Sequence, residues 1–422
     1  MRVIADLHIH SRYSRACSKS LSLRHLQEWG QFKGITVLGT GDFTHPKWLE
    51  EIERDLVPGP EGLYSFRNAS PAFPAAAPMH FMLTVELSCI YRKTEKTRRI
   101  HVLIFAPDIP TVKKINARLG AIGKLASDGR PILGIDVKEI VKIALDANPA
   151  CFIVPAHAWT PWFAVFGSKS GFDSLEECFE ELTPNIFAIE TGLSSDPLMN
   201  RRLSALDKVA CISNSDAHSA QNLGREANVF ELERVSYNAI MDAIKANDPR
   251  WFPETIEFYP EEGKYHVDGH RECEVRFLPP ETLRHKGICP KCFRPLTIGV
   301  LHRVHTLADR SEGDVSKQRP GHRYAVPLMQ VLAEGFGVGV KSKRVQEEYF
   351  RLIKILGSEF DLLLNVPIDE IVRIAPIAGE GIRRIRAGEL QIEPGYDGVY
   401  GTVRIFKSDE ISRFQLKQQG LW

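Results

Sequence analysis

Two histidines one residue apart close an apolar run near the start of the chain, in "RVIADLHIHS", and residues of the same chemical kind mark later runs. His8 and His10 are followed by Asp42 and His45 in "GTGDFTHP", Glu86 in "TVELS", His157 in "VPAHAW", and Asp216 with His218 in "SDAH". His101 opens rather than ends its run, "HVLIFAP". An H-x-H pair on a strand sends both imidazoles to one face about 7 Å apart, close enough to share a metal ion or bind adjacent ones. Alone such a pair decides little, since it is more often structural or merely exposed. Nine imidazole and carboxylate groups are more than one tetrahedral zinc can use, and they suit two or three closely spaced divalent cations. A cluster of that kind lowers the pKa of a bridging water and neutralises charge on a phosphoryl group. Hydrolysis of a phosphate ester is the reaction it predicts, with amide or amine hydrolysis as the chemical rival.

A second constellation lies in "KYHVDGHRECEVRFLPPETLRHKGICPKCFRPL", residues 264–296. Cys289 and Cys292 form C-x-x-C around Pro290, and Cys273 lies sixteen residues upstream of Cys289. His270, three residues before Cys273, is the fourth ligand preferred over His266 or His285, which gives a structural zinc site. A redox C-x-x-C usually accompanies a thioredoxin-like β-α-β pattern, which is missing here. Around these ligands stand Arg271, Arg276, Arg284, Lys286, Lys291, Arg294 and Arg303. From 264 to 344 there are 15 Lys plus Arg against 8 Asp plus Glu, a net of +7, while the first 263 residues carry −4. A zinc-stabilised module covered with cations predicts a clamp on a phosphate backbone, with a merely solvated face as the alternative.

These side chains need elements to carry them. Apolar runs at 2–10, 35–42, 81–88, 101–107, 151–157, 186–191 and 209–218 predict strands buried on both faces. Asp136 with Glu139, Ser174 with Glu177, and Asp196 before Pro197 predict helix starts between them. Strands alternating with helices predict a parallel sheet, and some seven repeats point to a closed barrel, whose active site gathers at the C-terminal strand ends. Residues 57–80, rich in Pro and Ala, read as a long surface loop. A break near 247–263 leads into the cysteine module, then into helix-like runs such as 342–364 and a β-like tail at 396–406. The expected division is a barrel over 1–250, a basic zinc-binding module over 251–325 and a mostly helical C-terminal region over 326–422. A chain of 422 residues exceeds what one core usually organises.

Composition narrows the class further. With 43% apolar residues a core is ample, yet no apolar run is long enough to span a membrane and the N-terminus lacks a signal-peptide layout, so the expected location is the cytoplasm. Eight cysteines, five of them scattered singly, do not form a disulfide framework.

In order, "DLHIHS", "GTGDFTHP", "VELS", "PAHAW" and "SDAHS" resemble the PHP superfamily, the polymerase and histidinol phosphatase metal domain. The resemblance implies an α/β fold with a distorted seven-stranded β/α barrel and a trinuclear site of zinc, with Mg or Mn for activity. It gives His8, His10, Glu86, His101, His157, Asp216 and His218 as ligands, with Asp42 or His45 completing the set. Where relatives often place another ligand just after H-x-H, this chain has "SRYSRACS", and one metal is expected to be held more weakly. Over nearly the whole length, "PAHAWTPWFAVFGSKSGFDSLEECF", "ETGLSSDPLMNRRLSALD", "HVDGHREC", "CPKC", "GVLHRVHTLADR" and "EPGYDGVYGTVRIF" resemble the endonuclease Q family. That implies a DNA-repair endonuclease hydrolysing the phosphodiester 5′ of a deaminated base (hypoxanthine, uracil, xanthine) or an abasic site, leaving 3′-OH and 5′-phosphate. Asp216, His218 and Glu86 would form its catalytic core. The tail also resembles the C-terminal end of some repair helicases, which implies a repair-protein partner.

For lesion DNA the residues suggest their own contacts. Trp159, Trp162, Phe163 and Phe166 can stack or wedge, although about half of such aromatics belong to a core. The amides of Gly167, Ser168, Lys169, Ser170 and Gly171 can read carbonyl edges or a phosphate, and Arg12, Arg15 and Lys19 lie beside the metal ligands as phosphate contacts. Two rivals stand against this reading. A small-molecule phosphatase of the histidinol-phosphate type fits the barrel but needs no basic zinc module, and a damage-binding scaffold needs no ligand set.

Overall fold

The computed structural model describes residues 1–311, 318–407 and 410. The first apolar run forms β1 (Arg2–Asp6), with β2 (Val37–Gly39) and β3 (His80–Lys93) parallel beside it. β3 turns back at Thr94 and Glu95, both with positive φ (49° and 60°), into β4 (Lys96–Ala106). Two left-handed residues match a tight hairpin to the twist of its strands. β5 (Phe152–Pro155) adds antiparallel to β4. β6 (Ala188–Glu190) and β7 (Ala210–Ile212) pair parallel to each other, while β8 (Ala227–Glu231) runs antiparallel to β1 and β9 (Glu254–Glu257) antiparallel to β8. A strand at Gly321–Tyr324 extends this edge.

The expected parallel, closed barrel is therefore corrected. The large sheet is mixed, and its hydrogen-bond ring is interrupted between β5 and β6 and between β7 and β1 among the described residues. Physically, polar side chains take over at both seams. Glu190 accepts from the His157 amide (2.8 Å), and Asn214 accepts from the Leu7 amide (2.8 Å). Only isolated backbone contacts remain, such as Ala158 N–H to Glu190 O (2.9 Å) and a parallel bridge of Ile9 with Ala217.

Both faces are buried, as Val- and Ile-rich strands require. Val3, Ala5, Phe105, Val154 and Ile212 share one apolar cluster with the helix Tyr237–Ala246, whereas Ile4, Leu38 and Ile104 belong to the other. The helix starts fall where the caps lie: Asp136, Ser174 and Asp196 each accept from the first turn of the helix that follows. Several strands lay outside the expected set. β8 was not anticipated, and β9 falls within the supposed break at 247–263, because "ETIE" buries the polar Thr255 and Glu257 beside a single apolar residue, Ile256. Part of the 57–80 loop is ordered too, with short strands at Leu56–Pro58 and Tyr64–Phe66.

Beyond the sheet, the cysteine segment forms a hairpin of Asp268–His270 with Val275–Phe277. Helices Leu328–Phe336, Lys343–Leu356, Ile368–Ile374 and Pro376–Ala387 follow, then a hairpin of Gln391–Glu393 with Thr402–Arg404. The helix-like run at 342–364 is cut at Gly357, whose φ of +99° an L side chain rarely adopts. No helix among the described residues is long and apolar enough to cross a membrane.

Candidate metal centre and zinc module

The stretch leaving β1 runs beside residues 214–218, through the Ile9–Ala217 bridge and His10 N–H to Ala217 O (3.1 Å). This seam sets Asp216 opposite the H-x-H pair. His10 Nε2 lies 3.1 Å from Asp216 Oδ1 and 3.2 Å from Glu86 Oε2, and His8 Nε2 lies 3.6 and 3.4 Å from the same two atoms. His8, His10, Glu86 and Asp216 offer ligand atoms within 4.8 Å of one another, and so do Glu86, His101 and His157. Glu86 joins the two groups: its Oε1 is 2.6 Å from His101 Nδ1 and 3.0 Å from His157 Nε2.

Three atoms show that the donor set fits a cation. His8 Nε2, His10 Nε2 and Asp216 Oδ1 are buried without a hydrogen-bond partner, although leaving such atoms unpaired costs about 1–3 kcal/mol each. They converge with a carboxylate, as nitrogen and oxygen donors do around zinc or manganese. The other ring nitrogens are already held: His8 Nδ1 by both oxygens of Glu190 (3.0 Å each), His10 Nδ1 by Asp42 (3.0 Å) and His157 Nδ1 by Thr160 (3.1 Å). Such partners fix the tautomer that leaves Nε2 free to ligate.

Charge is shared out accordingly. Burial opposes protonation of His8, but Glu190, Glu86 and Asp216 outweigh it and hold the imidazole well above its usual range. Burial likewise opposes ionisation of Glu86, and Arg130, His101 and His8 outweigh it, so that carboxyl stays far below the ordinary range. His101 is pushed down to about 4 by its burial, against the pull of Glu86. The backbone is strained here as well: Asp42, His157 and Asp216 have φ of 51°, 30° and 46°. Left-handed non-glycine residues cost of order 1 kcal/mol or more and gather at functional sites.

Not every expected ligand joins. Asp42 spends its oxygens on His10 Nδ1, the Ser11 amide (2.7 Å) and Ser14 Oγ (2.9 Å), so it orients a ligand rather than acting as one. His45 stacks on Tyr13 with ring centroids 4.4 Å apart and stands outside both groups. His218 lies at the rim, its ring 4.6 Å from that of His10 and its Nδ1 bonded to the Asp216 carbonyl (2.9 Å). The described barrel residues thus gather two ligand groups, not three. Two important residues were missed. Glu190 closes "FAIE" just as Glu86 closes "TVE", and the same strand-end criterion could have found it. Arg130, whose Nη1 is 2.9 Å from Glu86 Oε2, sits in a loop with no sequence signal. The loop comes this close because Gly129 has no side chain; a Cβ there would stand 2.2 Å from Asp42 Oδ2.

The proposed DNA contacts divide. Trp159 is fully buried, with Nε1 donating to Asn200 Oδ1 (2.7 Å) and its ring 4.7 Å from the buried Phe166, so neither has a face for a base. Phe163 lies against His101 (centroids 4.6 Å apart) and its carbonyl accepts from the His101 amide, backing a ligand. Trp162 is exposed and edges onto Tyr265 at 5.5 Å. The amides of Gly167, Lys169 and Gly171 already donate to loop carbonyls, and Ser170 is buried, which leaves the exposed Ser168 and Lys169 side chains. Arg12 is tied to Glu51 at 2.5 Å, whereas Arg15 and Lys19 are exposed. Two concavities flank the centre. One, of about 250 Å³, is lined by Thr160, Trp162, Tyr265 and Val300. A wider cleft of about 830 Å³ carries Lys96, Arg98, Arg99, Lys169 and Arg303.

In the cysteine module, His270, Cys273, Cys289 and Cys292 bring ligand atoms within 4.8 Å of one another. His285 instead stacks on Phe277 at 4.8 Å, and His266 is buried outside the group. Among the described residues, the module's buried apolar cluster consists of Val275, Cys289 and Leu296. So small a core needs a staple, and a zinc ion held by these ligands would provide it.

A buried imidazole–carboxylate donor set near a basic cleft is of the kind that metal-dependent hydrolases of the phosphoesterase class carry. Family models agree in kind: a PHP-associated model matches residues 200–249 and an MJ0043 C-terminal domain model residues 327–389. The crystal structure of the lesion-specific endonuclease PfuEndoQ from Pyrococcus furiosus matches with a TM-score of 0.84 and 30% identity over 98% of this chain and 99% of its own. An endonuclease Q complex with a 27-mer duplex substrate carrying an abasic lesion at the active site matches at 0.83 and 32%, over 97% and 98%. The chain belongs to the endonuclease Q family. Protein YqxK of Bacillus subtilis is 29% identical over 96% of this chain and 99% of its own, and MJ0043 of Methanocaldococcus jannaschii 33% identical over 61% of this chain. The chain spans 32% of the length of MJ0043.

Proposed function

We propose that the chain is a DNA-repair endonuclease that hydrolyses the phosphodiester 5′ of a deaminated base or an abasic site, leaving 3′-OH and 5′-phosphate ends. The observation that carries this reading is the convergence of three unpartnered buried donors, His8 Nε2, His10 Nε2 and Asp216 Oδ1, on Glu86 in a chain of this family. Two divalent metals, held by His8, His10, Glu86 and Asp216 and by Glu86, His101 and His157, would supply Lewis acidity and charge neutralisation at a phosphoryl group.

The chain's own residues do the rest. Asp216 and His218, with side chains 25% and 30% exposed, stand at the opening where a phosphodiester must enter. Arg130, 27% exposed and anchored on Glu86, turns its remaining N–H groups towards that opening as a fixed cation. Lys96, Arg99 and Lys169 line the wide cleft as a track for the phosphate backbone. The smaller cavity, walled by Trp162 and Tyr265 and touching His157 through Thr160, is of a size and character to take a base turned out of the stack. The zinc module extends the basic surface, while β9 and the strand at Gly321–Tyr324, inside the expected 251–325 segment, pair with the large sheet.

Duplexes labelled on one strand and carrying one hypoxanthine, uracil, abasic site or no lesion test the reading directly, with and without chelator. A single metal-dependent nick 5′ of the lesion is the expected result. Equal cutting of undamaged duplex, or full activity with chelator present, would remove it.

A further inference from the structure

The glycine-rich segment "EPGYDGVYG" near the C-terminus has no part in the metal centre or the zinc site, yet its turn docks on the segment that walls the smaller cavity. Gly395, Gly398 and Gly401 donate backbone hydrogen bonds to the carbonyls of Glu261 (2.8 Å), Lys264 (2.9 Å) and Glu262 (3.1 Å). Asp397 fastens the other side, accepting from the Arg271 amide (2.7 Å) and from Thr297 Oγ1 (2.6 Å). Tyr396 and Val399 close the turn by exchanging both backbone hydrogen bonds (3.0 and 2.8 Å). No side chain could replace Gly401, because a Cβ would stand 2.1 Å from the Glu261 carbonyl oxygen.

Of the two large side chains this mount exposes, Val399 and Tyr400, the tyrosine stands out further. Tyr400 is 68% exposed, and its ring lies 4.8 Å from Nζ of Lys264, a residue of the cavity rim. Ordering this much backbone to display an aromatic ring has no packing rationale, since Tyr400 is not part of the apolar clusters. An exposed ring against the rim cation of a base-sized cavity has the properties of a stacking wedge. Turning a base out of a duplex leaves its neighbours unstacked, and an apolar or aromatic side chain that fills the gap lowers that penalty.

We infer that Tyr400, mounted by the C-terminal turn, stacks into the gap left in the duplex beside the lesion and so holds the base in its extruded position. The inference rests on the proposed lesion endonuclease activity. Tyr400 is a positioning residue: its effect falls on opening the stack, and a substrate already open makes it dispensable. Lys264 meets the adjacent phosphate while keeping the ring in place.

The test is single-turnover nicking by the full-length protein, as wild type, Tyr400→Ala and Tyr400→Phe. Two substrates share one sequence: a fully paired duplex with one hypoxanthine, and the same lesion inside a short unpaired bubble. Loss of one base–aromatic stack predicts a slowing of about 10-fold or more for Tyr400→Ala on the paired duplex. On the bubble the same variant stays within about 2-fold of wild type, and Tyr400→Phe matches wild type on both. Wild-type rates for Tyr400→Ala on both substrates would overturn the inference. Equal slowing on both would overturn it too, by assigning the residue to general binding or folding. If the wild type cuts neither substrate, the nuclease reading itself falls.

Discussion

Glu190 offers the most exacting test of the metal centre, because it touches ligands and is not in a ligand group itself. Oε1 lies 3.0 Å from His8 Nδ1 and accepts from Asn214 Nδ2 (2.9 Å), while Oε2 lies 3.0 Å from the same His8 nitrogen and accepts from the His157 amide (2.8 Å). In Glu190→Gln one of these oxygens becomes an NH2 group. Whichever way it is placed, it faces a donor, Asn214 Nδ2 or the His157 N–H, and one buried polar group loses its partner at about 1–3 kcal/mol. The charge that holds the proton on His8 Nδ1, and hence the Nε2 lone pair towards the centre, is lost as well. Partners of this kind are worth about 10- to 100-fold in metal affinity, or roughly 1.4–2.7 kcal/mol. Metal-depleted protein titrated with Mn²⁺ or Zn²⁺ against a chromophoric chelator measures this directly. Affinity should fall by that factor, with nicking reduced in step and restored by excess metal. Wild-type metal affinity in Glu190→Gln would refute the positioning role, whatever happened to activity.

Asp216→Ala removes a ligand at the opening and should abolish nicking of hypoxanthine duplex while DNA binding, read by anisotropy, stays largely intact. Trp159→Ala should destabilise the fold by about 3–5 kcal/mol in denaturant titrations, since the ring is fully buried, whereas Trp162→Ala should leave stability near wild type and weaken activity on damaged duplex. Burial, aided by Asp196, pushes Glu257 up to about 8 against the hydrogen bonds from Thr255 and Thr191, so the group is neutral when folded and ionised when unfolded above its ordinary value of 4.5. Its contribution to stability is present in acid and is lost as pH rises from 4.5 towards 8. Glu257→Gln should therefore flatten the fall in stability between pH 5 and 8 and gain up to about 3 kcal/mol at pH 7; an unchanged pH profile would count against a neutral Glu257.

The sequence held much of the site and less of the sheet. His8, His10, His157 and Asp216 could be read from the ends of apolar runs, and Glu86 and His101, which lie within β3 and β4, from their residue types, because a metal centre gathers residue types that packing does not select. Asp42 and His45 were legible as chemistry but not as role. Whether a carboxylate ligates a metal or orients a histidine depends on a few ångströms, and Ser11, Ser14 and His10 take both oxygens of Asp42. The tryptophans were similar, since Trp159 and Trp162 sit three positions apart with opposite burial. The ring escaped because strand periodicity does not reveal strand direction: β3 and β4 join antiparallel through a two-residue turn, β5 adds antiparallel to β4 after a long connection, and β9 hides Thr255 and Glu257 where apolar residues were expected.

The two seams in the ring alter what metal binding means for this fold. Elsewhere the strands are laced by continuous backbone ladders, but between β5 and β6 and between β7 and β1 the closure rests on Glu190, Asn214 and a few single bonds. His8 and Asp216 lie along one seam and His157 along the other, so an ion held by either ligand group would act as a rivet as well as a reagent. Metal loss should then appear first as local opening, with amide exchange quickening at Leu7, His10, His157 and Ala158 while the β3–β4 hairpin stays protected. A chain of this design would sense its metal through the seams of its interrupted sheet.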